Sequence, residues 1–477
     1  MVSPLASPSQ HTVDNWIDEL QSQDFRNSKD DPNYYALNPQ SLVTSSQPIG
    51  FSVGTGARLL SRIFSACLST EHELILVTCF WADSISQRDF ASLLLKLSGK
   101  GQSRGRKIQV RLCFSSRSIW QKIRHTSSVF GEVYSPESWN SIGLPAPEDI
   151  PGLEMIVKSV FIWPFSVMHP KFILMDRQIS YMPSCNVSWE DWFEGCIEMR
   201  GEVCGKLFEF WKEFWARGCP PLPQFSPEAD NQEISSIAGP PAQCLRRALL
   251  DTTAFSFPSP IPTILLPSPH HRNPNFRFHT TKIPQAPPTP LNTFILQIVA
   301  AARQDIYIQT PNLTSRPVIN ALHEALERGI NVTIITSRVL MIFEQLGTAG
   351  TITEFEVWKF KRRYKKLLAK TRNISISDLE LQPSTRGKLK IGWYHPKQDS
   401  QRYPGYEEEP NKSHFKLTIV DEEIVVLGSG NMDRASWYTS QELGVAFFSR
   451  DMAGQIRSYV EEGLEGRVTD STNDTRY

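Results

Sequence analysis

The chain of 477 residues carries 50 Lys and Arg against 50 Asp and Glu, and 40% of its residues are hydrophobic. That length exceeds one comfortable core, and the composition excludes wholesale disorder and fibrous architectures. Zero net charge counts against a general nucleic-acid coat but leaves room for a local basic patch.

In chain order, residues 1–49 are rich in Ser, Gln, Asn and Asp and read as a polar tail, with a weak helix around 14–20. The N-terminus has neither a basic region nor an apolar stretch, so it does not resemble a signal peptide. No uncharged apolar run approaches the roughly 18 residues that span a bilayer. A cytoplasmic protein is expected, neither secreted nor membrane-spanning. Periodicity predicts a helix over 57–68, with Leu60, Ile63, Phe64 and Cys67 on one face, and a buried strand over 74–80. A helix over 90–97 and a strand over 108–114 follow.

Between 219 and 290 stand 16 of the 34 prolines. Proline at that density prevents long helices and central strands, so this stretch reads as a connector that could hold extended edges. Beyond it, helix, strand, helix and strand recur at 294–303, 306–309, 318–328 and 332–336. The pattern is one α/β unit used twice, over 50–218 and 291–477, the second with a basic helical insertion near 340–390. Helices at 206–215 and 452–460 occupy equivalent places in the two copies. The eight cysteines include no CxxC pair, and those inside apolar runs read as buried thiols.

The repetition is also chemical. His169, Lys171, Asp176, Ser184 and Asn186 recur at identical offsets as His414, Lys416, Asp421, Ser429 and Asn431, 245 residues later. An acidic residue follows each Asn, Glu198 after twelve residues and Glu442 after eleven. His and Lys two apart on an extended segment share a face, because strand side chains alternate. An apolar strand leads from each Lys to the Asp at a turn, and a returning strand brings Asn back beside the starting His. Each copy offers an imidazole, an ammonium and an amide, a set suited to phosphate. Two copies facing each other provide one imidazole to attack phosphorus and another to protonate the leaving oxygen. Lysines and asparagines would stabilise charge on the other oxygens, and Glu198 and Glu442 could each orient a histidine.

The paired HxK-four-residues-D pattern followed by GSxN resembles the phospholipase D superfamily. The resemblance covers about 50–465. It implies the phospholipase D fold, two similar α/β halves with mixed sheets meeting at a pseudo-twofold site. It also implies metal-independent, cofactor-free phosphodiester cleavage or transfer through a phosphohistidine, most readily on glycerophospholipids. His169 and His414 become nucleophile and general acid, grouped as catalytic with Lys171, Lys416, Asp176 and Asp421, although the two Asp are usually structural in such proteins. Lys171, Lys416, Asn186, Asn431, Ser184 and Ser429 become phosphate ligands. With both halves in one chain, a monomer suffices. The alternative within the same family is a nuclease or nucleic-acid end-processing phosphodiesterase. A binding protein built on an inactivated fold is a third reading, opposed by the intact His-Lys-Asn sets.

The first copy reads Pro183-Ser184-Cys185-Asn186 where the second has Gly428-Ser429-Gly430-Asn431, so its loop could depart in geometry. Phe161, Trp163, Phe165 and Met168 lead into His169 and read either as core or as an acyl groove. Trp189, Trp192 and Phe193 are candidates for a pocket wall. Residues 355–372 carry eight bases and one acid. They form either an amphipathic helix packed on the second half or a peripheral contact with an anionic membrane. A nucleic-acid partner is the weaker reading of that charge.

Overall fold

The computed structural model describes residues 7–126, 128–163, 166–223, 252–271, 285–372, 386–397 and 409–472. In the first half the apolar runs become strands β1 (Val43–Thr55), β2 (Glu73–Phe80), β3 (Ile108–Ser116), β4 (Leu153–Ser159), β5 (Phe172–Met175), β6 (Ile179–Pro183) and β7 (Trp192–Arg200). They lie in the order β4-β3-β2-β5-β6-β7-β1. The first three are parallel, and the remaining pairings are antiparallel.

The second half repeats this order. Strands β8 (Ile261–Ser268), β9 (Asp305–Gln309), β10 (Asn331–Ser337), β11 (Leu389–Tyr394), β12 (Leu417–Val420), β13 (Ile424–Gly428) and β14 (Glu442–Phe448) stand as β11-β10-β9-β12-β13-β14-β8. The long β1 joins the halves. Its start pairs with β8 (Val43 opposite Ile264) and the rest with β7, as far as Thr55 opposite Phe193.

The mixed α/β class and the doubled unit hold. Two readings of composition need correction. Strand β8 lies inside the proline-rich 219–290 stretch and pairs on both sides, with β1 and with β14. It tolerates Pro267 because that residue lies beyond the four positions paired with β1, where one side of the strand is an edge. Residues 1–49 are likewise more than a tail. Helix α1 (Ser7–Ser22) buries Val13, Trp16, Ile17 and Leu20, an apolar stripe at i, i+3, i+4 and i+7 that averaged composition conceals. The Trp16 Nε1 donates to the Pro290 carbonyl at 3.1 Å, and its ring meets Phe294 edge-on.

Helices α2 (Gly56–Cys67) and α3 (Ile85–Ser103) cover one face of the first sheet, and a short α4 (Ile119–Arg124) follows β3. Helix α5 (Glu202–Phe214) follows β7. In the second half come α6 (Pro290–Ala301), α7 (Arg316–Glu327), α8 (Ile342–Ala349), α9 (Thr353–Arg372), α10 (Arg434–Tyr438) and α11 (Arg450–Gly463). Each half has an outer core under its helices. A central core is shared: Phe172 and Ile197 of the first half join Leu417 and Phe447 of the second, with α5 and α11 contributing.

The basic stretch at 355–372 is helical, and Val357, Phe360 and Leu367 are buried against the second core. Lys361, one of the eight bases, is itself buried and donates to the Ser471 carbonyl at 2.9 Å. The apolar face of α9 is therefore occupied by the protein. Six of the cysteines are buried free thiols, Cys219 is a partly exposed one, and Cys244 lies outside the described residues. Among the described residues no helix is long and apolar enough to cross a membrane.

Candidate active site

Each HxK segment enters its sheet at the C-terminal end of a parallel strand. Strand β5 runs antiparallel to β2, with Phe172 opposite Val77, so His169 comes level with Phe80 at the end of β2. In the second half Leu417 lies opposite Gln309, and His414 takes the equivalent place beside β9. The halves then exchange main-chain bonds across the pseudo-twofold. The His169 N–H donates to Gln441 O at 2.9 Å, and the His414 N–H donates to Phe193 O at 3.0 Å. Gln441 and Phe193 each immediately precede a glutamate.

Those two glutamates face the opposite half's histidine. His169 Nδ1 lies 2.8 Å from Glu442 Oε2, and His414 Nδ1 lies 2.7 Å from Glu194 Oε1. Glu442 is the residue expected from the sequence. Glu198 is not: it stands 3.8 Å from Arg62, and Glu194 takes the place beside the imidazole. Residues 194 and 198 share a strand face, and counting from Asn could not choose between them. The ladder chooses. Pro183 faces Cys196 as Gly428 faces Gly444, so Glu194 is the register equivalent of Glu442.

Ser184 and Ser429 need a second correction. Their hydroxyls donate to Glu194 and Glu442, each at 2.5 Å, and accept the Gly195 and Leu443 N–H groups. Both are spent on holding carboxylates, so neither is placed as a phosphate ligand. Ser436, which the sequence reading missed, adds a third donor to Glu442 at 2.6 Å. Pro183 leaves the geometry intact, because Ser184 N still donates to Gly195 O as Ser429 N does to Leu443 O. Gly428 cannot be exchanged in the same way: at φ +153° a Cβ there would stand 2.3 Å from Leu443 O.

Asp176 and Asp421 lie at the far ends of their hairpins, four strand residues or about 13 Å from the lysines. The Asp176 carboxylate accepts the N–H groups of Glu71, His72 and Glu73, and Asp421 accepts those of Arg303, Gln304 and Asp305. Each also begins a two-residue left-handed turn, φ 48° and 54° at 176–177 and φ 53° and 50° at 421–422. They fasten the hairpin to the neighbouring strand, and their grouping with the reacting residues does not hold.

The remaining residues converge. Lys171 Nζ donates to His169 O at 3.0 Å, and Lys416 Nζ donates to His414 O while lying 2.9 Å from that imidazole. The carbonyl oxygens of the Asn186 and Asn431 side chains are buried without a partner. The Asn431 amide donates to Asp433 at 3.0 Å, which leaves one of its two N–H groups for a ligand. Burial pushes His414 down to about 3, against the raising effect of Glu194, and lowers His169 against Glu442. Burial also brings Lys416 down to about 7. Burial alone would raise Glu194, but His414, Lys416 and Ser184 overcome it and hold the carboxyl at about 2. Each pair is thus an ionised carboxylate and a neutral imidazole whose Nε2 keeps a lone pair.

The two histidines differ in cover. The His169 side chain is 14% exposed and that of His414 2%, beneath the Trp192 ring at 4.6 Å. Of the aromatic candidates, Phe161, Met168 and Phe193 are core residues, Trp163 and Trp189 are exposed, and Phe165 lies outside the described residues.

Residues 295–463 match the family model described as cardiolipin synthase, phospholipase D-like domain. Among solved structures, phosphatidylserine synthase from Haemophilus influenzae shares 12% identity at a TM-score of 0.55, covering 91% of this chain and 90% of that one. Polyphosphate kinase from Porphyromonas gingivalis shares 10% at 0.45, over 88% and 48% of the two chains. The phospholipase D family member Nuc from Salmonella typhimurium shares 15% at 0.26, over 38% of this chain and 90% of its own. The first of these likenesses is one of fold. No curated protein matches the sequence.

Proposed function

We propose, from the premise that this chain belongs to the phospholipase D superfamily, that it cleaves or transfers glycerophospholipid phosphodiesters through a phosphohistidine on His169. The observation that carries the reading is the crossed pairing of each imidazole with a carboxylate of the other half. It keeps Nδ1–H engaged on both rings and leaves Nε2 as the nitrogen for attack on one and proton transfer on the other, as a double displacement needs.

His169 is taken as the nucleophile because it is the more accessible ring. Its Nε2 attacks phosphorus, a P–N bond forms, and the P–O bond to the leaving alcohol breaks. His414 gives the proton that the alkoxide takes. Burial holds His414 neutral in the free enzyme. The negative charge of the bound phosphodiester raises its proton affinity, so the imidazole takes a proton from solvent as the substrate binds and passes it to the leaving oxygen. Lys171, Lys416 and the Asn186 and Asn431 amides stabilise the non-bridging oxygens. In the second step neutral His414 takes a proton from water or an alcohol, whose oxygen displaces His169 from phosphorus. A lipid substrate is favoured by the Trp192 ring against His414 and by the likeness to a fold neighbour named phosphatidylserine synthase.

The test is mass spectrometry of products from mixed phospholipids, with and without glycerol or phosphatidylglycerol as acceptor. New phosphatidic acid or phosphatidyl-alcohol is expected. His169→Ala and His414→Ala should each lower kcat by about 10⁴-fold or more. Full activity in either variant sinks the mechanism, and cleavage of oligonucleotides alone moves the substrate to the nuclease alternative.

A further inference from the structure

Helices α4 and α8 are equivalent elements. Each follows the C-terminal end of a parallel strand, β3 and β10, at the edge where the histidines stand. Both border the site: α8 packs on α10, whose Ser436 holds Glu442, and Lys122 of α4 stands 5.6 Å from the ring of Phe161 in the segment leading to His169. Burial raises the Glu344 carboxyl of α8, and the Lys122 ammonium lowers it against that burial. Both turn apolar side chains to water. Trp120 is 72% and Phe343 92% exposed, joined by Ile123, Val339 and Leu346. Five of the 13 large hydrophobics exposed among the described residues thus fall in the twenty residues 117–124 and 338–349, a density that chance placement does not give.

Two more observations bear on what covers this surface. The same twenty residues hold Arg117, Lys122, Arg124 and Arg338 against one acid, Glu344, a formal charge of +3 (four less one). In addition, Val339 and Met341 sit at φ +54° and +53°. A β-branched residue seldom adopts that conformation, and here it holds an apolar side chain outward at the head of α8. Cations beside exposed aromatic and aliphatic side chains complement an anionic bilayer, which takes up both.

We propose that α4 and α8 are two prongs that dock the protein on an anionic phospholipid bilayer, with the catalytic mouth between them facing the headgroups. The proposal rests on the lipid reading of the site and specifies how that substrate is met. It replaces 355–372 as the contact, because the apolar face of α9 is packed in the protein.

Flotation of the full chain with vesicles tests it. Vesicles of phosphatidylcholine with one third phosphatidylglycerol should carry the protein, and phosphatidylcholine alone should carry at least about tenfold less. The double variant Trp120→Ser/Phe343→Ser should lose at least about tenfold in partitioning and keep its melting temperature, since both side chains face water. It should keep turnover of a water-soluble aryl phosphodiester and lose turnover of vesicle lipid. Lys365→Gln/Lys366→Gln on the exposed face of α9 should change nothing. Unchanged partitioning of the first double variant, loss in the α9 variant instead, or capture of single-stranded oligonucleotide in place of vesicles overturns the proposal. Vesicle binding without turnover of any phosphodiester overturns the catalytic reading and leaves the docking surface standing. Turnover of the soluble diester without vesicle binding does the reverse.

Discussion

The two halves carry the same seven-strand order and the same hairpin, yet their carboxylates are reached by different routes. Seven residues separate Asn186 from Glu194, and ten separate Asn431 from Glu442. The longer link contains α10 and supplies Ser436, so Glu442 receives three side-chain donors where Glu194 receives two. His169, served by the better-held carboxylate, is also the more open ring. A duplicated scaffold therefore fixes where the groups stand, and the links between strands set how alike the two imidazoles are.

The sharpest way to break this comparison is to neutralise the carboxylates one at a time. Glu194→Gln and Glu442→Gln should each lower kcat by about 10²–10⁴-fold, because an amide no longer fixes the imidazole tautomer. Glu198→Gln should leave kcat within about twofold, as for a residue outside the chemistry. Steady-state kinetics decides, and a large loss in the last variant would return the orienting role to Glu198.

Stability against pH comes next. His169 and His414 have folded pKa values below the unfolded value, so the unfolded chain binds more protons as pH falls. Stability is then full above about 6.5 and drops as pH falls from there toward about 3, with a limiting slope of about 1.4 kcal/mol per pH unit for each such histidine. The depressed Glu194 acts in the same direction, its contribution lost as pH falls through its folded value of about 2. Urea midpoints between pH 7.5 and 5 should decline, and more shallowly in His414→Gln. A flat profile in the parent would contradict the neutral-imidazole assignment.

Asp176→Asn and Asp421→Asn test the equality of the scaffold. Each removes a carboxylate that accepts three backbone N–H groups and should cost about 1–3 kcal/mol in denaturant unfolding, with kcat nearly unchanged. A collapse of kcat in the folded variants would restore them to the chemistry. A modest effect is expected of Ser436→Ala, a drop of about two- to fivefold in kcat for loss of one of three donors. It should make the two halves more alike in pH profile, and no change at all would mean that the extra donor does not distinguish them.

The sequence made His169, Lys171, His414 and Lys416 legible because a strand keeps its count: identical offsets follow from identical hairpins. Glu194 was hidden for the same reason, since every second residue of a strand shares a face and only the pairing register separates 194 from 198. The weak helix around 14–20 was legible but its burial and Trp16 were not, because four apolar residues in a polar stretch leave little trace in composition. Strand β8 escaped because proline is excluded only where its missing N–H would be paired, and Pro267 stands where that side of the strand is open. The hydroxyls of Ser184 and Ser429 sat at positions that suited a phosphate, and only their neighbours show that their hydrogen-bonding capacity is already used.

The crossing of the carboxylates also bears on how such a molecule changes over generations. In the proposed mechanism a substitution at Glu194 would injure the chemistry of His414, and one at Glu442 that of His169, so damage to either copy would register in the other. On that mechanism neither copy could drift freely while its twin preserved the activity, as duplicated units often do, and the halves would have to be inherited, exchanged or lost together.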